Sequence, residues 1–213
     1  VYFIPGHATH VLVLNTKTDE IFHIGPELVG QFKWLRSIRV GPIIYGLPCH
    51  ADSILRIDTR TQGVTLLPLP DGNDEEKNMG PWKYHGGEIC PIDGKIYAMP
   101  QYATRVLQLD PKTDTLNYVG PHLPGKYKWY GAILGCDNAI YGIPQNAAHV
   151  IRIDPSNDEE NIVSLHGDFA LGGHKWHGGA AAANGKVIVG IPCHAHTVLH
   201  IDPGKVPKIS LVG

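Results

Sequence analysis

The sequence predicts an all-β fold: a β-propeller of four-stranded antiparallel blades, with five blades expected. Three observations predict it. A phrase of the type "IYGIP…RID" returns five times, its proline recurs at steps of 43, 52, 44 and 48 residues, and turn residues are abundant, with 25 Gly and 17 Pro in 213 residues. A period of about 40–50 residues built from short strands is typical of radially stacked sheets. The prolines of the phrase are Pro5, Pro48, Pro100, Pro144 and Pro192.

Each complete repeat divides into four strands. In the third repeat they are KYHGGEICPIDG, KIYAMP, TRVLQLD and TLNYVG, with aromatic and β-branched residues crowding the second strand. We expect one domain over residues 1–213, and blades near 1–32, 33–82, 83–127, 128–174 and 175–213, the first without its innermost strand. The sequence does not begin with Met, so we expect a fragment or a processed form. A parent with six or seven blades is the alternative.

The end of every third strand carries a turn signal. An Asp or Asn stands there in all five repeats, and Pro follows three of the aspartates. Such a side chain hydrogen-bonds its own backbone two residues on, and Pro presets the next φ. These residues therefore predict turns rather than a metal cage; they are Asn15, Asp58, Asp110, Asp154 and Asp202.

The amino-acid composition limits the classes of partner that we expect for this protein. The formal net charge of −2 provides no basic footprint, so we predict no nucleic-acid partner. No apolar stretch is long enough to predict a transmembrane segment, and no motif predicts a cofactor. The four cysteines form no C-x-x-C pair, and we predict free thiols. Nothing in the composition assigns a compartment.

Equivalent positions in different blades should form rings at the mouth of a central channel, and three rings are candidates for ligand binding. The first ring consists of the second residue after the proline of each repeated phrase. Its three imidazoles could hold a transition metal; alternatively, its polar side chains simply cap the blade. We predict no bound metal, because no acidic partner accompanies them. This ring comprises His7, His50, Tyr102, Asn146 and His194.

The second ring is a lysine followed by an aromatic residue at the start of the first strand. Its ammonium groups could attract anions, and its aromatic rings could stack on a sugar. The alternative, which we favour, is that each aromatic packs between blades while its lysine reaches water. The lysines are Lys33, Lys83, Lys128 and Lys175, and their aromatic partners are Trp34, Tyr84, Trp129 and Trp176.

The third ring follows those aromatics and leads into glycines. It comprises Leu35, His85, Tyr130 and His177, and we include His85 and His177 among the candidate ligand-binding residues. Glycine on an innermost strand allows close approach of a backbone or a ligand. Crowding near the axis explains these glycines equally well.

Function follows from what repeats and what does not. Polar positions recur from blade to blade, whereas catalysis needs different groups in different roles, and no nucleophile elbow, phosphate loop or H-E-x-x-H motif is present. We therefore predict no catalytic residues and a non-catalytic scaffold that binds another protein, through acidic insertions at residues 70–82 and 154–174. A lectin-like carbohydrate binder and a metal-dependent lyase or hydrolase are the alternatives.

The phrase resembles that of "YGIP…RIDP" propeller-repeat proteins of algae and other protists, over nearly the whole chain. The stretches Asp93–Tyr97 with Leu107–Asp110, and Asn138–Tyr141 with Ile151–Asp154, are also similar to virginiamycin B lyase-like propellers. That second resemblance implies a magnesium-dependent lyase that uses a histidine and acidic residues. Here the second strands end in I-P or M-P, without the expected acidic group, so no catalytic residue is carried over.

Overall fold

The computed structural model describes residues 1–72, 80–158 and 160–213. Within those ranges the chain forms nineteen β-strands and no helix, and accordingly no helix among them is long and apolar enough to cross a membrane. The chain divides into two compact units, Val1–Pro70 and Asp71–Gly213. Most of the insertion predicted to contact a partner, and Glu159 of the second acidic run, lie outside the described residues.

The first unit contains two sheets. One has three strands, β1 (Tyr2–Phe3), β2 (Val11–Asn15) and β3 (Glu20–Ile24). The other has four strands, β4 (Trp34–Val40), β5 (Ile43–Pro48), β6 (Ser53–Asp58) and β7 (Gly63–Pro68). The absence of a fourth strand from the first sheet, among the residues described, agrees with the predicted lack of an innermost strand.

The second unit contains three four-stranded sheets. The first has β8 (Tyr84–Ile89), β9 (Ile96–Pro100), β10 (Val106–Asp110) and β11 (Thr115–Val119). The second has β12 (Trp129–Leu134), β13 (Ile140–Pro144), β14 (Val150–Ile153) and β15 (Val163–His166). The third has β16 (Trp176–Ala182), β17 (Val187–Pro192), β18 (Val198–Asp202) and β19 (Lys208–Val212).

Every sheet is an antiparallel meander in which neighbouring strands are consecutive along the chain. In the second unit the first strands of successive sheets, β8, β12 and β16, contact one another. Every residue of the second strands β9 and β13 is buried. A strand covered on both faces loses the alternating polar pattern, which is why this phrase is continuously apolar. The all-β class and the four-stranded blades are confirmed.

The predicted turns are confirmed. In each of four turns the side-chain Oδ1 accepts a hydrogen bond from the backbone N–H two residues on, at 2.9–3.0 Å. The acceptors are Asn15, Asp58, Asp110 and Asp154. The aspartates therefore stabilise the turn between the third and fourth strands.

The first strand of each four-stranded sheet is interrupted by a β-bulge just after its aromatic residue. In the second unit the bulge contains a glycine with positive φ, at Gly86, Gly131 and Gly178. A methyl group on Gly86 would come within 2.8 Å of the Cα atom of Gly131. Glycine is thus required where two first strands approach each other.

Candidate functional site

The lysines at the start of the first strands do not reach water, in contrast to the prediction. Lys33, Lys83 and Lys128 are only 4–5% exposed. The Nζ atom of Lys128 donates to the backbone carbonyls of Gln101, Ala103 and Gly125 at 2.9–3.1 Å. Burial lowers the pKa of Lys128 to about 7. All three N–H donors of the Lys128 ammonium are engaged by backbone carbonyls. The ammonium therefore links two loops and has no donor left for a ligand.

The same arrangement repeats in other sheets. Lys33 and Lys175 each donate to three backbone carbonyls at 2.7–3.2 Å, and burial lowers the pKa of both. We call the edge of each sheet at which these lysines lie the lysine edge. The second strand ends and the third begins at this same edge.

The aromatic residues that follow the lysines are buried as well. Trp34, Trp129 and Trp176 are 2–3% exposed. Each indole N–H donates, at 2.7–2.8 Å, to the backbone carbonyl at or just before the third strand of its own sheet. Their burial confirms the packing role that the sequence analysis favoured for these three indoles, and it leaves them unable to stack on a sugar, which was the alternative.

A different set of aromatic side chains lines the lysine edge. The residue immediately before each lysine is aromatic and has a positive φ of 44–60°; these residues are Phe32, Trp82, Tyr127 and His174. Glycine adopts such a φ without strain, whereas bulky residues rarely do. Strained backbone that keeps a large side chain is found preferentially at ligand-binding sites.

In the second unit two of these side chains, Tyr127 and His174, lie between Tyr102 and His194, which belong to the first predicted ring. The ring centroids of Tyr102 and Tyr127 lie 4.8 Å apart, those of Tyr127 and His174 5.4 Å, and those of His174 and His194 6.1 Å. The His194 side chain is exposed and the other three are half-buried. We call Tyr102, Tyr127, His174 and His194 the aromatic row.

Amide side chains lie beneath the row and orient it. Gln101 Nε2 donates to Gln145 Oε1 at 3.2 Å, and Gln145 Nε2 lies 2.7 Å from His174 Nδ1. Asn146 Oδ1 accepts from the backbone N–H of His174 at 2.8 Å. An amide nitrogen can only donate, so His174 Nδ1 accepts the hydrogen bond from Gln145 Nε2. In the neutral ring the proton is then on Nε2, which can donate a hydrogen bond to a ligand.

One polar atom of this network is unpaired. Gln101 is 3% exposed, and among the described residues its Oε1 atom has no hydrogen-bond partner. A buried acceptor without a partner is costly, by about 1–3 kcal/mol. A ligand or an ordered water that donates to Gln101 would remove that cost.

The third predicted ring forms a second layer on the first strands. The Tyr130 ring lies 3.6 Å from His85, face to face, and 3.6 Å from His177. Partial desolvation, together with the neighbouring His174, lowers the pKa of His177, although the residue is exposed. The structure therefore brings His85, Tyr130 and His177 together, as the repeat predicted.

The first unit has its own version of this edge. His7 packs edge-on against Phe32 at 4.3 Å between centroids, and Phe32 lies 5.2 Å from His50. The two predicted histidines of this unit are thus joined through an aromatic side chain that the sequence analysis did not select. No group of three or more His, Cys, Asp or Glu side chains suited to a metal occurs in the part of the chain that is described.

Tyr127 and His174 are the functional candidates that the sequence analysis missed. Their signal was present: an aromatic residue precedes every lysine of the repeat, in the dipeptides FK, WK, YK and HK. Periodicity assigns that position to a loop, and only the backbone conformation shows that its side chain joins the row. The predicted free thiols are confirmed, with Cys49 and Cys90 buried.

Comparison with solved structures shows the β-propeller fold. The chain is similar to virginiamycin B lyase from Staphylococcus aureus, with a TM-score of 0.71 and 15% identity over 98% of this chain and 65% of that one. It is likewise similar to a streptogramin B lyase, with a TM-score of 0.71 and 16% identity over 99% of this chain and 64% of that one.

A putative 6-phosphogluconolactonase from Bacteroides uniformis has a TM-score of 0.63 and 13% identity over 98% of this chain and 65% of that one. The chain therefore spans just under two thirds of the length of these neighbours. No protein family matches the sequence, and no curated protein matches it. The likeness to virginiamycin B lyase-like propellers is confirmed at the level of fold.

Proposed function

We propose that this protein is a non-catalytic β-propeller binding module whose aromatic row holds a planar, ring-bearing ligand. The observation that carries the proposal is the retention of aromatic residues at positive φ beside every repeat lysine. The rings of Tyr127 and His174 lie half-buried at the surface of the second unit, and Lys126 Nζ lies over the neighbouring Tyr102 ring, 5.4 Å from its centroid. Aromatic faces bind flat rings by stacking and exclude water from the contact.

The amides define what such a ligand should carry. Gln101 Oε1 is an unpaired acceptor and His174 Nε2 a donor, so the row favours a ring with hydrogen-bonding groups of both kinds. The row and its amides contain no carboxylate, hydroxymethyl or thiol side chain. These residue types suit recognition better than bond cleavage.

Saturation-transfer NMR with a defined set of probes tests this function. The probes are adenosine, uridine, riboflavin and benzoate, with cyclohexanecarboxylate as a control of the same shape class but without a π-face. We expect signal for at least one aromatic probe and none for the saturated ring. The Tyr127→Ala variant should lose that signal, because it removes the central ring of the row.

Tyr118→Ala is the matched control, since Tyr118 lies on β11, the outermost strand of its sheet, and is not a member of the aromatic row. Circular dichroism verifies that both variants are folded. The proposal is wrong if no aromatic probe gives a signal, or if Tyr127→Ala and Tyr118→Ala affect the signal equally.

The inner layer favours a second candidate, an acid–base enzyme. The His177 imidazole has a lowered pKa and packs against the Tyr130 ring, and its neutral form could accept a proton from a substrate. One structural neighbour, an inactive virginiamycin B lyase, was solved with quinupristin. Incubation of this protein with quinupristin, followed by mass spectrometry, tests the candidate: a cleaved product that His177→Ala abolishes supports it, and unchanged quinupristin contradicts it for this compound.

A further inference from the structure

A pocket lies in the second unit, at the edge of the sheets opposite the lysine edge. It has a volume of about 410 Å³, within the usual range for small-molecule sites. Its polar lining comes from Asp93, Lys95, Asn117 and Asn157, and its apolar lining includes Val119 and Ile162. This pocket is separate from the aromatic row.

A row of side chains across one sheet forms the floor of the pocket. Tyr97, Gln108 and Asn117 are direct cross-strand partners on β9, β10 and β11, so they project from the same face. Tyr97 Oη donates to Asp93 Oδ2 at 2.7 Å and accepts from Gln108 Nε2 at 3.0 Å. Lys95 Nζ donates to Gln108 Oε1 at 3.2 Å.

The equivalent row of the next sheet is closed by an arginine. There the partners are Tyr141 and Arg152, and Arg152 pairs with Asp137 and Asp154, each at 2.9 Å. The hydroxyl of Tyr141 also accepts from the backbone N–H of Gly204 at 3.1 Å. Every strong donor and acceptor at that position is therefore engaged within the protein.

Two departures from the repeat open the pocket beside β9 and β10. Gln108 replaces the arginine, so Asp93 has no ion-pair partner among the described residues. The turn contributed by the following sheet is also longer, and it places Pro155 and Asn157 at the wall of the pocket. Across the five sheets the equivalent position holds Val13, Arg56, Gln108, Arg152 and His200. Gln108 is the one amide among them, and an amide offers a hydrogen-bond donor and an acceptor without charge.

From this lining we propose that the pocket binds a neutral polyhydroxylated ring, of monosaccharide size, at a site distinct from the aromatic row. Asp93 and Lys95 carry opposite charges and the remaining polar groups are amides, so the lining offers acceptors and donors without net charge. Among the described residues, Lys95 Nζ uses one of its three donors, toward Gln108, and the amide of the exposed Asn117 makes no side-chain hydrogen bond. Val119 and Ile162 provide an apolar surface for the C–H face of the ring.

Saturation-transfer NMR with D-glucose, D-galactose, D-mannose and myo-inositol at millimolar concentration tests the site. We expect at least one of these polyols to bind. Asn117→Ala removes an unengaged amide and should weaken that binding by about tenfold. Gln108→Arg restores the arginine of the neighbouring sheet, which should fill the pocket and abolish binding.

Glycine and L-alanine are included as zwitterionic probes that match Asp93 and Lys95 by charge alone. Tyr127→Ala is the control variant and should bind the polyol as the unmodified protein does, because it changes only the aromatic row. The inference is overturned if no polyol binds, if the amino acids bind in place of polyols, or if Asn117→Ala binds normally. These outcomes do not depend on whether the aromatic row binds its own ligand.

Discussion

Single residues show how this protein separates a structural charge from a binding group. Lys128 is a buried ammonium that satisfies three carbonyls, and it stabilises the loops that carry the aromatic row. The preceding residue, Tyr127, places its ring at the half-buried surface, next to Tyr102 and His174. The repeated K-W dipeptide is thus part of the scaffold, and the aromatic before it is the better candidate for function.

Replacing Lys128 with Met should destabilise the protein by about 3 kcal/mol, because it leaves buried carbonyl acceptors without a donor. The measurement is urea unfolding at mildly alkaline pH, above the pKa of about 7 that burial gives this lysine, because below that pKa the unmodified fold also carries the cost of burying a charge. Lys126→Met, which changes an exposed lysine two residues away, should cost less than about 0.5 kcal/mol. Equal losses in the two variants would show that the Lys128 hydrogen bonds do not stabilise the fold.

The Arg152–Asp154 pair makes a prediction about acid stability. Burial opposes the ionisation of Asp154, but hydrogen bonds from Ser156 and Arg152 outweigh it and lower the pKa. A carboxyl group with a lowered pKa stabilises the fold above its ordinary pKa and loses that contribution as the pH falls through the folded-state value. Asp154→Asn should therefore cost about 2 kcal/mol at neutral pH, and the difference from the unmodified protein should shrink in acid.

Asp110→Asn is the control for this change. Asp110 makes the same turn hydrogen bond, to the N–H of Lys112, but no described arginine pairs with it. Because Asn also makes this turn, as Asn15 does, the control should lose less than about 0.5 kcal/mol. Thermal or urea unfolding across the acidic range measures both variants, and an Asp154→Asn deficit that is independent of pH would contradict the assignment.

At the scale of the strand, the bulged first strands are the elements most sensitive to change. Gly86 has a φ of +98°, and a methyl group there would meet the Gly131 backbone. Gly86→Ala should therefore cost at least about 3 kcal/mol, from backbone strain and overpacking together. The exposure of backbone amides to hydrogen exchange, and urea unfolding, would measure the loss.

Gly94→Ala separates these two contributions. Gly94 has a φ of +73° and nothing lies within 4 Å of an added methyl group, so only conformational strain remains, worth about 1 kcal/mol. Both glycines belong to the same sheet or its turn. If the two variants lose the same stability, the close approach of β8 and β12 does not limit the fold.

At the scale of the whole molecule, the sequence was sufficient for the architecture because blade structure is repeated. The four-stranded antiparallel sheets and the hydrogen-bonded turns at Asn15, Asp58, Asp110 and Asp154 followed from the repeat. Its limits appear where position alone does not settle the direction of a side chain: Lys33 and Lys128 turn inward to backbone carbonyls and do not reach water. Sequence spacing cannot distinguish a lysine that reaches water from one that a loop encloses.

The candidate sites were harder to predict for a second reason. The aromatic row depends on positive φ values at Tyr127 and His174, and non-glycine residues give no sequence signal for that conformation. The polyol pocket depends on a single exchange, Gln108 where the next sheet has Arg152, seen against a turn of different length. The effect of such a local substitution on the surface can be judged only when the surrounding contacts are known.

The proposed function depends most on the assignment of the aromatic row as a ligand-binding site. One measurement tests that assignment directly. A crystal structure of the protein soaked with the aromatic probe that gives the strongest saturation transfer would locate that probe. We predict density for a flat ring against Tyr127 and His174, with a hydrogen bond to Gln101 or to His174 Nε2. Density for the probe at another place, with an unoccupied row and unchanged side chains around Gln101, would contradict the assignment.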